Sequence, residues 1–69
     1  MSVYKIIEII GTSKKSWEDA AAVALATASK SLEDLRIAEV VRQDVTVDKG
    51  KITEFRTRLN ISFKYRADK

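Results

Sequence analysis

The chain has 69 residues, with 13 lysines and arginines against 10 aspartates and glutamates, and it contains no cysteine and no histidine. Its length suits one domain covering residues 1–69, and the missing residue types exclude disulfides, thiolate metal sites and histidine-based acid–base chemistry. Small folds without such staples are usually stabilised by association with other copies. The two signs of charge are interspersed along the chain, so we expect no nucleic-acid partner.

The first predicted element is a strand over residues 3–10, which read VYKIIEII and are followed by Gly11, a turn signal. This apolar run is short and is interrupted by Lys5 and Glu8, so it resembles neither a signal peptide nor a membrane span. We therefore expect a cytoplasmic protein with no membrane partner.

A helix is predicted from about Trp17 to about Ser31, with Ser16 as its N-cap and Asp19 in the position of a capping box. Apolar and small side chains at helical spacing form one stripe: Trp17, Ala20, Ala21, Ala24, Ala28 and Leu32. Because the stripe is mostly alanine, the helix can lie close to a sheet but supplies little apolar area. We expect Trp17 to be a core anchor or an interface aromatic.

Two long strands are predicted at residues 37–47 and 52–65, joined by a hairpin turn at Asp48, Lys49 and Gly50. Strict alternation in the first of them places these residues on one face: Ile37, Glu39, Val41, Gln43, Val45 and Val47. Alternation is clearer in the last strand, where one face is apolar and is expected to be buried: Phe55, Thr57, Leu59, Ile61, Phe63 and Tyr65. The order β-α-β-β predicts an α+β fold with a largely antiparallel sheet.

The predicted helix and hairpin differ in length. A helix of about 16 residues is roughly 25 Å long, whereas a strand of about 14 residues spans roughly 45 Å. Part of the apolar row on the last strand would then stay in water, which is typical of an interface. We expect copies of the chain to continue the sheet or to bury its uncovered end. The alternative is a strongly twisted monomer whose hairpin curls around the helix.

Four segments together resemble the dodecin family: VYKIIEIIGTS at residues 3–13, SWEDAA at 16–21, RIAEVVRQDVTVDKGKI at 36–52 and SFKY at 62–65. The resemblance implies a β-α-β-β subunit whose three-stranded antiparallel sheet wraps partly around the helix, assembled as a hollow homododecamer. It also implies non-catalytic binding and storage of a small ligand at subunit interfaces, often a flavin such as riboflavin or FMN.

The flavin site that this resemblance implies falls on five positions: Ile37, Ala38, Glu39, Arg56 and Arg58. Flavin-binding dodecins have a stacking tryptophan at the start of the second strand, where this chain has Ile37, and a glutamine in the third strand, where it has Arg56. The lost ring removes about 0.5–1.5 kcal/mol of stacking energy. The guanidinium only donates hydrogen bonds and cannot replace an amide. We therefore expect flavin recognition to be weakened.

The chain is similar to a tryptophan-lacking branch of the family, which includes a calcium dodecin. Calcium prefers carboxylate and carbonyl oxygens, and the candidate ligands are Glu39, Asp44, Asp48 and Glu54. Neighbouring arginines could instead pair with these carboxylates. Glu39 and Glu54 could approach across the hairpin, but no nucleophile or metal is positioned beside them, so we expect no enzyme.

Two hypotheses remain open at this stage. One is a shell that holds a flavin or another small ligand, and the other is a structural or ion-binding shell that has lost flavin binding. Arg56 and Arg58 could also contact a phosphate, with structural ion pairing as the alternative use.

Overall fold

The computed structural model describes residues 2–65, which form β1 (Tyr4–Ser13), α1 (Trp17–Ala28), β2 (Leu35–Asp48) and β3 (Lys51–Lys64). The strands lie in the order β1-β3-β2, and β3 is antiparallel to both neighbours. The predicted α+β fold with a three-stranded antiparallel sheet is therefore confirmed. Within residues 2–65, no helix has the length and apolar character needed to cross a membrane.

The helix begins as the sequence predicts and ends earlier. The Ser16 hydroxyl accepts a 2.9 Å hydrogen bond from the Asp19 amide, which is the expected N-cap. The predicted end at Ser31 is wrong, because α1 stops at Ala28. The Lys30 and Ser31 amides bond to carbonyls only three residues back, so the chain tightens into a turn there.

Gly11 lies inside β1 and does not form a turn, so the predicted strand end at residue 10 is wrong. The helix crosses so close to this residue that a Cβ placed on Gly11 would lie 2.0 Å from the Ala20 carbonyl oxygen. A glycine inside a strand often marks such a close backbone approach. The strand therefore continues to Ser13, whose hydroxyl donates a 2.6 Å hydrogen bond to the Asp19 carboxylate.

The core lies between α1 and the middle of β3. Leu59, Ile61 and Thr57 are almost completely buried on the helix-facing side of the sheet, as the alternation in the last strand predicts. The stripe of small residues on α1 packs over them through Ala20, Ala24 and Ala28. The row ends sooner than predicted, because β3 stops at Lys64 and Tyr65 beyond it is exposed.

The alternation predicted for β2 is wrong, because the strand contains a bulge at Val41. An extra residue in one strand reverses which face the following side chains occupy. Ile37 and Glu39 pair with residues of β3 that face away from the helix, whereas Gln43 and Val45 pair with residues that face it. We call the side of the sheet that is turned away from α1 the outer face.

The helix covers only part of the sheet. It packs against β1 and β3, and its 12 residues span about 18 Å, whereas the 14 residues of β2 or β3 span about 46 Å. Large apolar side chains remain between 44% and 66% exposed, among them Val40, Val41, Val47 and Ile52 on β2 and β3. Ile6, Ile10 and Ile37 are also exposed, because they lie on the outer face. The length mismatch read from the sequence therefore leaves a sheet with uncovered apolar surface.

Candidate functional site

An apolar cleft of ≈ 420 Å³ opens between the end of α1 and the start of β2. Its lining includes two of the positions predicted for a flavin site, Ile37 and Ala38. The other walls are mostly aliphatic: Leu25, Ala26, Leu35 and Ile61, with Ser29 and Arg36 at the polar end. Such a surface can hold an apolar or aromatic group, and the exposed Ile37 leaves it open on one side.

The other predicted flavin positions lie away from this cleft. Ile37 pairs with Ser62, which is six positions along β3 from Arg56, a separation of about 20 Å. Glu39 and Arg58 lie at register positions between them. One chain does not bring Ile37 and Arg56 together, so a site that uses both would need residues from more than one copy.

Arg56 is held by Asp44 on the outer face. Its Nε lies 2.7 Å from Oδ1 and its Nη2 lies 2.8 Å from Oδ2 of that carboxylate, which is a two-pronged ion pair. The hydrogen bond from Arg56 is the main cause that lowers the pKa of Asp44, against a smaller opposing effect of desolvation. The same hydrogen bond raises the pKa of Arg56. The pair engages both oxygens of Asp44 and two of the five N–H donors of Arg56, so a ligand at either side chain must compete with this pair or share it.

Trp17 anchors the start of the helix to this region of the hairpin. Its indole Nε1 donates a 3.0 Å hydrogen bond to the Asp44 carbonyl, and its ring meets Phe55 edge-on at 5.2 Å between centroids. The Thr57 hydroxyl donates to the Trp17 carbonyl at 2.8 Å. The expected role of Trp17 as a core anchor agrees with these contacts.

The four candidate calcium ligands are spread along the hairpin. Glu39, Asp44, Asp48 and Glu54 pair in register with Asn60, Arg56, Lys51 and Thr46. Among residues 2–65, no group of three or more acidic, histidine or cysteine side chains is arranged to hold a metal ion. Glu39 and Glu54 lie about six positions apart along the hairpin, so the expectation that they approach each other is wrong.

A family model described as dodecin matches residues 3–66. The chain belongs to the dodecin family. Calcium dodecin from Mycobacterium tuberculosis is 57% identical over 67 residues, which cover 96% of this chain and 93% of that protein. Dodecin from Thermus thermophilus is 36% identical over 62 residues, which cover 90% of each chain.

Solved structures agree with this assignment. A Thermus thermophilus crystal structure matches with a TM-score of 0.88 at 33% identity, covering 96% of this chain and 97% of the other. The crystal structure of the Mycobacterium tuberculosis calcium dodecin, described as calcium chelating with a novel calcium-binding site, matches with a TM-score of 0.84 at 52% identity and covers 99% and 97%. The family inferred from the sequence segments is thus confirmed.

Proposed function

We propose that this dodecin is the subunit of a non-catalytic, hollow homododecamer that binds a small ligand where copies meet. The uncovered apolar surface of the sheet carries this proposal, since eight large apolar side chains of its strands are at least 44% exposed in one chain. The family match and the open cleft beside Ile37 support it. The cytoplasmic location expected from the sequence stays a prediction.

Native mass spectrometry tests the assembly. We expect a species of about twelve times the 7.8 kDa chain mass at micromolar concentration. Ile37→Asp places a charge on the most exposed of the large apolar side chains and should weaken the assembly, whereas Ala22→Asp, on the exposed side of α1, serves as the matched control. A folded monomer at micromolar concentration would contradict the proposal.

A flavin is the first ligand to test, because the cleft is apolar and includes the positions Ile37 and Ala38. We expect weak binding of FMN, followed as quenching of flavin fluorescence, since a stacking ring is missing and Arg56 is paired. Ile37→Trp combined with Arg56→Gln should strengthen the quenching, with Arg56→Gln alone as the control for opening the ion pair. If the double variant quenches no more than the parent chain, the assigned flavin positions are wrong.

Calcium is the second candidate, and the observation that favours it is the 57% identical relative called calcium dodecin. The four predicted ligands are spread along one hairpin, so we propose that a calcium site would combine carboxylates of different copies. Calorimetric titration with Ca²⁺, and with Mg²⁺ for comparison, measures binding. Glu39→Gln and Glu54→Gln should each weaken it, and Glu33→Gln, outside the predicted set, should not. Calcium binding that all three variants retain equally would exclude Glu39 and Glu54 as ligands.

A further inference from the structure

Arg42 and Arg58 face each other across β2 and β3 on the outer face of the sheet. Like charges directly opposite each other on neighbouring strands are destabilising. Neither arginine takes part in the ion pairs and hydrogen bonds that the side chains of residues 2–65 make. Within residues 2–65, two adjacent guanidinium groups therefore have no carboxylate bonded to them.

The nearest carboxylate is already neutralised. Asp44 accepts hydrogen bonds from Arg56 on both of its oxygens, at 2.7 and 2.8 Å. Arg58 and Arg42 are close enough to contribute to the lowered pKa of Asp44, after the larger effect of Arg56. Three arginines thus surround one carboxylate, and only Arg56 is bonded to it.

The next carboxylates along the outer face lie close to Arg58 but are not bonded to it. Glu8 and Glu39 both pair with Asn60, which is two residues from Arg58 along β3 and on the same face. Neither forms an ion pair within residues 2–65. The amide of Asn60 adds a hydrogen-bond donor beside the two guanidinium groups.

We propose that Arg42 and Arg58 bind the phosphate group of a small molecule on the outer face of the sheet. Side chains opposite each other on antiparallel strands start about 4.5–5.5 Å apart at Cβ, so two guanidinium groups can converge on one phosphate. Each guanidinium is a planar fork that matches phosphate oxygens. The site belongs to a single hairpin, so it goes beyond the proposed function and does not depend on the number of copies.

Calorimetric titration of the full chain with inorganic phosphate, AMP and adenosine at low ionic strength tests the site. Phosphate and AMP should bind, and adenosine should not. Arg42→Glu should weaken phosphate binding at least about tenfold, since it removes a charge-assisted contact and adds a repulsive one. Lys14→Glu makes the same charge change in the loop between β1 and α1 and should leave the affinity within about twofold.

Thermal unfolding gives a second readout. Arg42→Glu converts the like-charge pair into an opposite-charge pair, so its Tm in phosphate-free buffer should rise and the further rise on adding phosphate should disappear. Binding of AMP without binding of phosphate would overturn the proposal, and so would equal losses in the Arg42→Glu and Lys14→Glu variants. A lower Tm of Arg42→Glu together with loss of assembly would assign Arg42 to a contact between copies instead.

Discussion

Gly11→Ala tests the close approach of the helix to the sheet. A Cβ at this position would lie 2.0 Å from the Ala20 carbonyl oxygen and 2.9 Å from the Ala24 Cβ. Ordinary contact begins at 3.4 Å, so the helix backbone must retreat by about 1.4 Å at Ala20. Because the obstacle is a backbone atom, a change of side-chain rotamer cannot relieve it.

The size of the effect follows from two opposing contributions. Overpacking a core costs about 1–3 kcal/mol of unfolding free energy. Alanine has less conformational freedom than glycine in the unfolded chain, which raises the free energy of unfolding by about 0.4–1 kcal/mol. The contact is much shorter than a normal one and involves backbone, so we expect an overpacking cost near about 3 kcal/mol. The net loss of unfolding free energy is then about 2 kcal/mol.

Urea unfolding followed by the fluorescence of Trp17, at one fixed protein concentration, measures this loss. Gly50→Ala is the matched control, because no atom lies within 4 Å of its added Cβ and only its φ of +77° opposes alanine. Gly11→Ala combined with Ala24→Gly should recover little stability, since the Ala20 carbonyl remains in place. A Gly11→Ala chain as stable as the parent would refute the packing argument.

Three further changes probe the turn, the ion pair and the core. Lys49→Asn should raise the Tm, because Lys49 has a φ of 52° in a two-residue hairpin loop that favours asparagine before glycine; an unchanged Tm in calorimetry would contradict this. The pKa of Asp44 is lowered by folding, so its contribution to stability is present above its ordinary pKa of 3.8 and is lost as the pH falls through the lower folded value. An acid titration of the Tm should therefore be flatter for Asp44→Asn, and an identical acid profile would argue against the ion pair with Arg56. Leu59→Ala should cost about 2–5 kcal/mol in urea unfolding, because Leu59 is 1% exposed in the core, and a cost below about 1 kcal/mol would mean that the core is misplaced.

Local patterns in the sequence predict much of the fold. Alternation along β3 correctly places Leu59 and Ile61 in the core, and helical spacing correctly places Ala24 and Ala28 against them. Gly11 is an exception. Glycine is common in turns, so the sequence predicts a turn there, but this glycine is needed for packing against the helix. Only the path of the helix above β1 shows why a glycine belongs inside the strand.

The sequence alone does not predict which charged side chains meet on the outer face. In a regular hairpin with Asp48 opposite Lys51, Arg56 would lie opposite Gln43. The pairing of β2 with β3 is irregular near Thr46 and at Val41, and between these two points each residue of β2 meets a partner shifted by one position. Asp44 therefore meets Arg56, and the same displacement sets Arg42 opposite Arg58. The flavin and calcium positions stay predictions, because they rest on family resemblance and on contacts between copies.

The central strand of the sheet is the last of the three to be synthesised. β1 has β3 as its partner, and Ser13 at the end of β1 is separated from Lys51 at the start of β3 by most of the chain. At an elongation rate of about 5–20 residues per second, a nascent β1 waits about 2–8 s on the ribosome before its partner exists. β1 therefore cannot pair within the sheet during that interval, and the sheet closes only after β3 has been made.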